Sequence, residues 1–596
     1  MIGTYAAVLA ICAASLAIGQ AAIALCGARR WSWLAPAVGL ALLCALCWGT
    51  VRLGGDGVVA PIVVVLVTLA AVVYLWGRLE GGAEALRAGW PVALLALLAA
   101  SLPFAVEGHF GILGTSFNPD MSQHLLAADQ LTRGAPGELL SQGYPLGPHA
   151  VVVALNKGLG IGLVQGFSGL TIAIAVLAPL TALAAFRELR PLPRTAAALV
   201  VGLAYVVASY FAQGAFKETV QALFLLAFVL ALRESGRDWR NLPLRFVPAA
   251  LIAVGSVYAY SFPALIWLGA TFVIWVLLEL VVSRLGHSPL AVRPVLLASL
   301  TFLVLAAPEL SRMIDFQQFE TFDPNGPGLG NLFGQISPFE ALGIWPSGDF
   351  RLAPGDGAVP AFGYYLGAAF GLVLLLYGVA RCWRGREHAI LAGLAAAALA
   401  YAAGRLGGTA YASAKAIEIA APLTALTILL PLLSKIEPSI GVPTQPKGLA
   451  RPVGSAAAAV FLAAAGVCSL LALANAPVGP TSFSPALHEF RAQVGEGPTL
   501  AIGSDELLAD QHGGPFLAWE LRGGRVCILA ASEVGEEPPR GVRFVVGRGD
   551  GDSPPFQGLR VRRVSSPYVL WEVTDPVAGR SPCPLIAERQ ARQGSA

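Results

Sequence analysis

The stretch Pro91-Val-Ala-Leu-Leu-Ala-Leu-Leu-Ala-Ala-Ser-Leu-Pro-Phe-Ala-Val106, followed by the polar segment Asn118-Pro119-Asp120-Met121-Ser122-Gln123-His124, decides the fold of this chain. An uncharged apolar run approaching the roughly 17–25 residues that cross a bilayer reads as a membrane span. The acidic segment behind it reads as chain that has just left the membrane. Runs of the same kind recur along the whole sequence. The chain has 596 residues, is 56% hydrophobic and only 13% charged, and has a mean hydropathy of +0.68. A soluble protein of this size needs far more charge to cover its surface. The predicted fold class is therefore an α-helical polytopic membrane protein with about fourteen spans. They centre near residues 5–26, 34–52, 58–77, 90–106, 162–186, 195–212, 217–232, 246–260, 263–283, 294–308, 361–380, 388–404, 415–434 and 453–474.

Charge supports one orientation. Met1 to Gln20 lack a basic lead, and Arg29 and Arg30 follow the first run. This argues against a cleaved signal and places the N-terminus outside. Alternate loops are then Arg-rich: Arg78 and Arg87; Arg187, Arg190 and Arg194; Arg233, Arg237, Arg240 and Arg245; Arg284 and Arg293; Arg381, Arg384 and Arg386; Lys435, Lys447 and Arg451. The large segments 107–162, 308–360 and 475–596 fall on the opposite, extracytoplasmic side. Residues 1–90 read as N-terminal spans, 91–474 as a transmembrane core with outer loops 107–162 and 308–360, and 475–596 as a small soluble α/β domain. In that domain residues 484–494 read as a helix, and 499–503, 526–530, 542–546 and 568–573 as strands between Gly and Pro breakers. The location that follows is the plasma membrane, with the lipid bilayer as a partner. The net charge of +3 is spread over short loops, which excludes a basic nucleic-acid patch.

Most cysteines lie in or beside apolar runs and read as small hydrophobes. Cys527 and Cys583 alone fall in the outer domain and are expected to lie close enough to bridge. There is no His/Glu metal motif, no Gly-x-Ser-x-Gly and no P-loop, and Gly547-Arg-Gly-Asp-Gly551 precedes no helix.

Chemistry concentrates at the outer ends of spans. Asp120 suits a general base or, alternatively, the N-cap of a helix running through Leu131. His124 lies one turn on, on the same face. Lys is rare, yet Lys217 and Glu218 open one span and Lys415 opens another, with Arg405 nearby in sequence. Such cations serve either as interfacial anchors or as the clamp on a phosphate leaving group. Trp345, Asp349 and Arg351 lie in a Gly/Pro-rich loop and suit a carbohydrate platform or a packed anchor.

The pattern Asp120-x3-His124-x3-Ala128-x2-Leu131-x2-Gly134, then Tyr144-Pro145-Leu146-Gly147-Pro148-His149, resembles the first outer loop of the GT-C glycosyltransferase superfamily, which includes protein mannosyltransferases and lipid A aminoarabinose transferases. As hydropathy the resemblance runs from about Pro91 to Pro431; its motifs cover some thirty residues. It implies a polyprenyl-phosphate sugar donor, chemistry on the outer face and Asp120 as base; Tyr144, His149 and the span-end cations are expected to contact the substrates. The acceptor is a glycan, lipid or protein hydroxyl. The position of the usual second acid holds Met121, so no cofactor is required by the pattern and a divalent metal stays open. Two other classes fit the composition: a lipid-linked oligosaccharide flippase, and a non-catalytic scaffold presenting the C-terminal domain. A scaffold predicts no convergence of Asp120 with the lysines.

Overall fold

A computed structural model describes residues 1–576 other than 55, 136, 238, 284–291, 318–327, 358, 435–450 and 575. Every predicted span falls on helix. The first four are Ile2–Leu25, Ala35–Val51, Val59–Leu75 and Gly82–Val106. Leu163–Phe186 is followed by a pair, Pro191–Gly202 and Tyr205–Ala212, bent by 54°. Phe216–Gly236, Val247–Tyr260, Phe262–Ser283 and Val292–Ala306 come next, then Ala361–Arg384, His388–Gly407, Ala410–Leu433 and Arg451–Ala474.

The number of clear spans is smaller than the sequence suggests. Among the described residues nine helices are long and apolar enough to cross a membrane, or ten if the bent pair makes one span. The difference is one of length and charge. Ala35–Val51, Val59–Leu75 and Val247–Tyr260 are apolar but have only 17, 17 and 14 residues. At 1.5 Å per residue they reach about 21–26 Å, short of a ~30 Å hydrocarbon core. Phe216–Gly236 is long enough but opens with Lys217 and Glu218 and closes with Arg233 and Glu234.

Leu163–Phe186 and Ala410–Leu433 are buried over most of their length and form the centre of the bundle. Small residues let the first helices cross closely. A Cβ on Gly19 would lie 1.9 Å from the Ala35 carbonyl oxygen, and one on Gly39 would lie 1.7 Å from that of Ser15. At one end of the bundle the Arg-rich loops are tied by ion pairs. Arg233 grips buried Glu387 through two bonds of 2.8 and 3.0 Å, and Arg237 adds a third at 2.6 Å.

The other end carries the 107–162 loop and the C-terminal domain. Strand β1 (Ile112–Leu113) pairs antiparallel with β2 (Val478–Gly479), just beyond the last bundle helix. The domain then builds a five-stranded sheet from β3 (Thr499–Gly503), β4 (Val526–Ala530), β5 (Phe544–Arg548), β6 (Leu559–Ser565) and β7 (Tyr568–Val573), in the order β4-β3-β5-β7-β6. The first three pair in parallel, the last two antiparallel. Alternate side chains serve opposite faces. Ala501, Ile528, Phe544 and Leu570 pack on Leu487, Phe490 and Leu517 from helices, while Leu500, Val545, Val569 and Trp571 fill the second face with Phe556. The expected helix over 484–494 is two short ones, Pro485–His488 and Arg491–Val494. The expected Cys527–Cys583 bridge lies outside the described residues, because residue 583 does.

Candidate active site

A cavity of about 530 Å³ opens where the 107–162 loop, the bundle and the C-terminal domain meet. Two glycines bring its walls together. Gly114 and Gly214 both have left-handed backbones, with φ of 79° and 73°. A Cβ on Gly114 would stand 2.2 Å from the Gln213 backbone, and one on Gly214 would stand 2.7 Å from the Leu113 carbonyl oxygen. Only residues without a side chain fit this crossing. It sets the start of the Met121–Thr132 helix beside the start of Phe216–Gly236.

Asn118 then turns the chain, its Oδ1 accepting from the Asp120 backbone N–H at 3.0 Å. Asp120 stands at the N-cap position, yet its side chain makes no capping bond. The carboxylate is turned into the cavity, where its Oδ1 lies 2.8 Å from His512 Nε2. Opposite it stand the cations. Lys415 Nζ is 3.0 Å from Glu218 Oε1 and 4.1 Å from the centroid of the Tyr411 ring. Lys217 donates to the Tyr144 hydroxyl, and its ammonium lies 3.8 Å from the centre of that ring. Tyr144 is held from behind by Arg312, which donates to the carbonyls of Leu140 at 3.0 Å and Tyr144 at 2.6 Å.

Six of the residues singled out from sequence therefore line one cavity: Asp120, His124, Tyr144, Lys217, Glu218 and Lys415. His149 does not reach it. It is fully buried behind His124, its Nε2 3.2 Å from His124 Nδ1, in a box of rings with Phe167 and Phe216. It packs against His124 from behind. Burial, with His149 and Lys217 close by, pushes His124 well below the ordinary histidine range, so it is neutral at physiological pH.

The carbohydrate-platform expectation is corrected. Trp345 has no exposed surface and packs edge-on against Tyr364 at 5.1 Å. Asp349 and Arg351 are bonded to each other at 2.7 Å, and Arg351 also donates to the Phe117 carbonyl and lies over the Phe117 ring. Arg351, held by Asp349, braces the loop that leads into Asp120, and none of the three lines the cavity. Arg405 is exposed in the last turn of His388–Gly407 and also stands outside it. Trp345→Ala is accordingly expected to cost about 3–5 kcal/mol of stability, as for other large buried aromatics. Arg405→Ala is expected to leave both melting temperature and activity unchanged. Thermal unfolding of the detergent-solubilised variants checks the pair; a stable Trp345→Ala with altered sugar preference restores the platform.

The residues around Asp120 do not suit a divalent ion. Among the described residues no three His, Cys, Asp or Glu side chains converge as ligands. The residue after Asp120 is Met121, and of the cavity's other carboxylates Glu218 is engaged by Lys415 and Asp510 by His512.

His512 and Asp510 are the residues sequence reading missed. They precede a helix, Gly513–Glu520, that begins Gly-Gly-Pro and reads as a turn. The imidazole lies between two carboxylates, with Nδ1 3.2 Å from Asp510 Oδ1. Burial lowers its proton affinity, but the Asp120 bond and the charges of both acids outweigh this and hold its pKa above the ordinary histidine value. Asp120 shows the converse. Burial raises its pKa, and the His512 bond, aided by Lys415, more than offsets that, so the carboxyl sits below the usual range.

No family model matches this sequence, and no curated protein matches it. Solved structures do. One is arabinofuranosyltransferase AftD from mycobacteria, with TM-score 0.46 and 14% identity over 82% of this chain. A second structure of AftD gives 0.43 and 16% over 83%. The archaeal oligosaccharyltransferase AglB from Archaeoglobus fulgidus, in complex with an inhibitory peptide and a dolichol-phosphate, gives 0.37 and 15% over 77% of this chain and 69% of that one. The chain spans about two fifths of the length of AftD, the matches covering 40% and 42% of it.

Proposed function

We propose that this chain is a multi-pass glycosyltransferase of the plasma membrane, moving a sugar from a polyprenyl-phosphate donor to an acceptor hydroxyl on the extracytoplasmic face. The observation that supports it most is the convergence of one half-open carboxylate, Asp120, with two ammonium groups, Lys217 and Lys415, in a single cavity at the end of a membrane bundle. A scaffold requires no such convergence.

The cavity divides by chemistry. Trp267, Phe316, Tyr260 and Pro263 form an apolar wall suited to the first isoprene units. The phosphate falls between the lysines. Lys415 is largely neutralised by Glu218, so Lys217, whose partner is a neutral hydroxyl, brings the unbalanced positive charge. The acceptor approaches past Asp120, which is bonded to His512 through Oδ1. Its other oxygen takes the hydroxyl proton as the acceptor oxygen bonds to the anomeric carbon. The bond from that carbon to the phosphate oxygen breaks, and the lipid phosphate leaves against the ammonium groups. One displacement inverts the anomeric centre. A carboxylate held below its usual pKa is fully ionised but weakly basic. That suits a transition state of oxocarbenium character, in which the leaving bond is well advanced before the proton moves.

The test is transfer by the purified protein in nanodiscs, with a panel of farnesyl-phosphate sugars and octyl glycoside acceptors, read by mass spectrometry. Products with inverted anomers support the reading. An absence of turnover combined with no binding of farnesyl phosphate overturns it.

A further inference from the structure

The contact between the C-terminal domain and the cavity is specific in its chemistry. Helix Gly513–Glu520 packs on the Met121–Thr132 helix, and the residues before it, Ala509 to His512, form part of the cavity wall. Asp510 Oδ1 accepts from the His512 backbone N–H at 2.7 Å and faces ring Nδ1 at 3.2 Å. The ring's far nitrogen meets Asp120, 392 residues earlier in the chain. The imidazole is 16% exposed, Asp120 35% and Asp510 61%. The bracket thus runs from solvent to the base and leaves one side of the base open.

We infer that the C-terminal domain completes the active site, with Ala509–His512 as the wall that the acceptor lies against and His512 as a positioning residue that fixes one Asp120 oxygen so that the other faces the acceptor hydroxyl. This rests on the reading of Asp120 as the base. The Asp120 side chain has no bond to its own helix, so without His512 no hydrogen bond described in the structure would hold its rotamer. A carboxylate with a free χ1 spends much of its time turned away from a hydroxyl. Asp510 in turn fixes the ring through both its backbone and side-chain contacts. Gln511 from this loop lines the cavity along with Asn118, Gln123 and Gln213, neutral amides that both donate to and accept from hydroxyl groups.

The bracket has a pH window. Both ring nitrogens face carboxylates, so both contacts are donated only by the imidazolium form. The other charged or titratable groups around it are His124, neutral through burial, and Lys415 with Glu218. The imidazolium is present below the raised His512 pKa, and the Asp510 contact is lost as pH rises through it. Asp120 is ionised above its depressed pKa, and its contact is lost as pH falls through that value. Transfer is therefore expected to decline on an alkaline limb above the ordinary histidine range.

Two measurements on the full chain in nanodiscs test this. The first needs no turnover: carbodiimide labelling of Asp120 at pH 5, located by mass spectrometry. With His512→Ala the carboxyl returns toward its ordinary range, and labelling is expected to speed roughly tenfold per pKa unit regained. Arg522→Ala loosens the same interface outside the cavity, where Arg522 lies 3.9 Å from Asp129, and is expected to change nothing. The second is transfer with the farnesyl-phosphate sugars. His512→Ala is expected to lower kcat on the order of 10²-fold, the scale of a misplaced catalytic group, with farnesyl phosphate affinity unchanged. His512→Gln keeps a donor near the Nε2 position; it should recover most of the rate and lose the alkaline limb. Unchanged labelling in His512→Ala overturns the proposal, as does Arg522→Ala reproducing both effects. If Asp120→Asn is inactive while His512→Ala is normal in rate and pH profile, positioning fails and the assigned function stands. If Asp120→Asn is active, the base assignment fails first.

Discussion

Asp120→Asn is expected to remove transfer almost entirely while leaving expression and melting temperature near those of the parent. General-base catalysis is typically worth ~10²- to 10⁴-fold, and an amide takes no proton at neutral pH. The substitution is isosteric. Because the Asp120 side chain caps no helix, the amide gives up little structurally. The His512 contact survives in weakened form, with the amide oxygen accepting from Nε2. Initial rates with the farnesyl-phosphate sugars, at acceptor concentrations spanning KM, check the expectation: kcat falls and donor affinity holds. Near-normal turnover places the base elsewhere. The cavity's other carboxylates are then Asp510 and Glu218, since Asp349 is bonded to Arg351 outside it.

The lysines are expected to behave differently from Asp120 and from each other. Lys217→Met removes a cation whose partner is a neutral hydroxyl, so the fold tolerates it. A charged hydrogen bond to a phosphate contributes about 1.5–3 kcal/mol, roughly ten- to a hundredfold in Kd for farnesyl phosphate. The rate falls as well, because charge on the leaving oxygen grows in the transition state. Lys415→Met has a second cost. It strands Glu218, which is only 4% exposed, and breaking one half of a buried ion pair typically costs ~3–5 kcal/mol. Lys415→Met combined with Glu218→Gln removes that stranded charge. The double variant is expected to regain melting temperature without regaining donor affinity. Titration with farnesyl phosphate alongside thermal unfolding separates the two effects. If the single Lys415 variant melts normally, the ion pair is not what holds these helix ends together.

The sequence spoke clearly wherever a single local rule applied. Apolar runs became helices because length and composition leave the chain few alternatives in lipid, and every predicted run lies on helix. How many cross alone was not legible, since helices such as Val247–Tyr260 fall short of bilayer thickness and sit deep among their neighbours. Asp120, Lys217 and Lys415 stood out as charges at the ends of apolar runs, where each needs a reason to exist. Trp345 left two readings open because an aromatic in a Gly/Pro loop looks the same whether it faces solvent or fills a core. Strand β6 was missed because Arg560, Arg562 and Arg563 hide its alternation at an exposed sheet edge. His512 carried no local signal. Its meaning comes from a partner 392 residues away, and no spacing rule reaches that far.

The pairing of β1 with β2 has a consequence for how the molecule is made. Thr115, just past β1, bonds to the Gly479 backbone across 364 residues of sequence. During synthesis the loop that bears Asp120 emerges early and then waits while the rest of the bundle is inserted. At ~5–20 residues per second that wait lasts on the order of tens of seconds. Until the ribosome has passed the last helix, the growing chain holds its lysines and its acid without the strap and the imidazole that bring them into register. Under the proposed function, a polyprenyl phosphate meeting such a nascent chain would find the lysines without His512 in place beside Asp120. Synthesis and docking of the C-terminal domain are what bring His512 to Asp120.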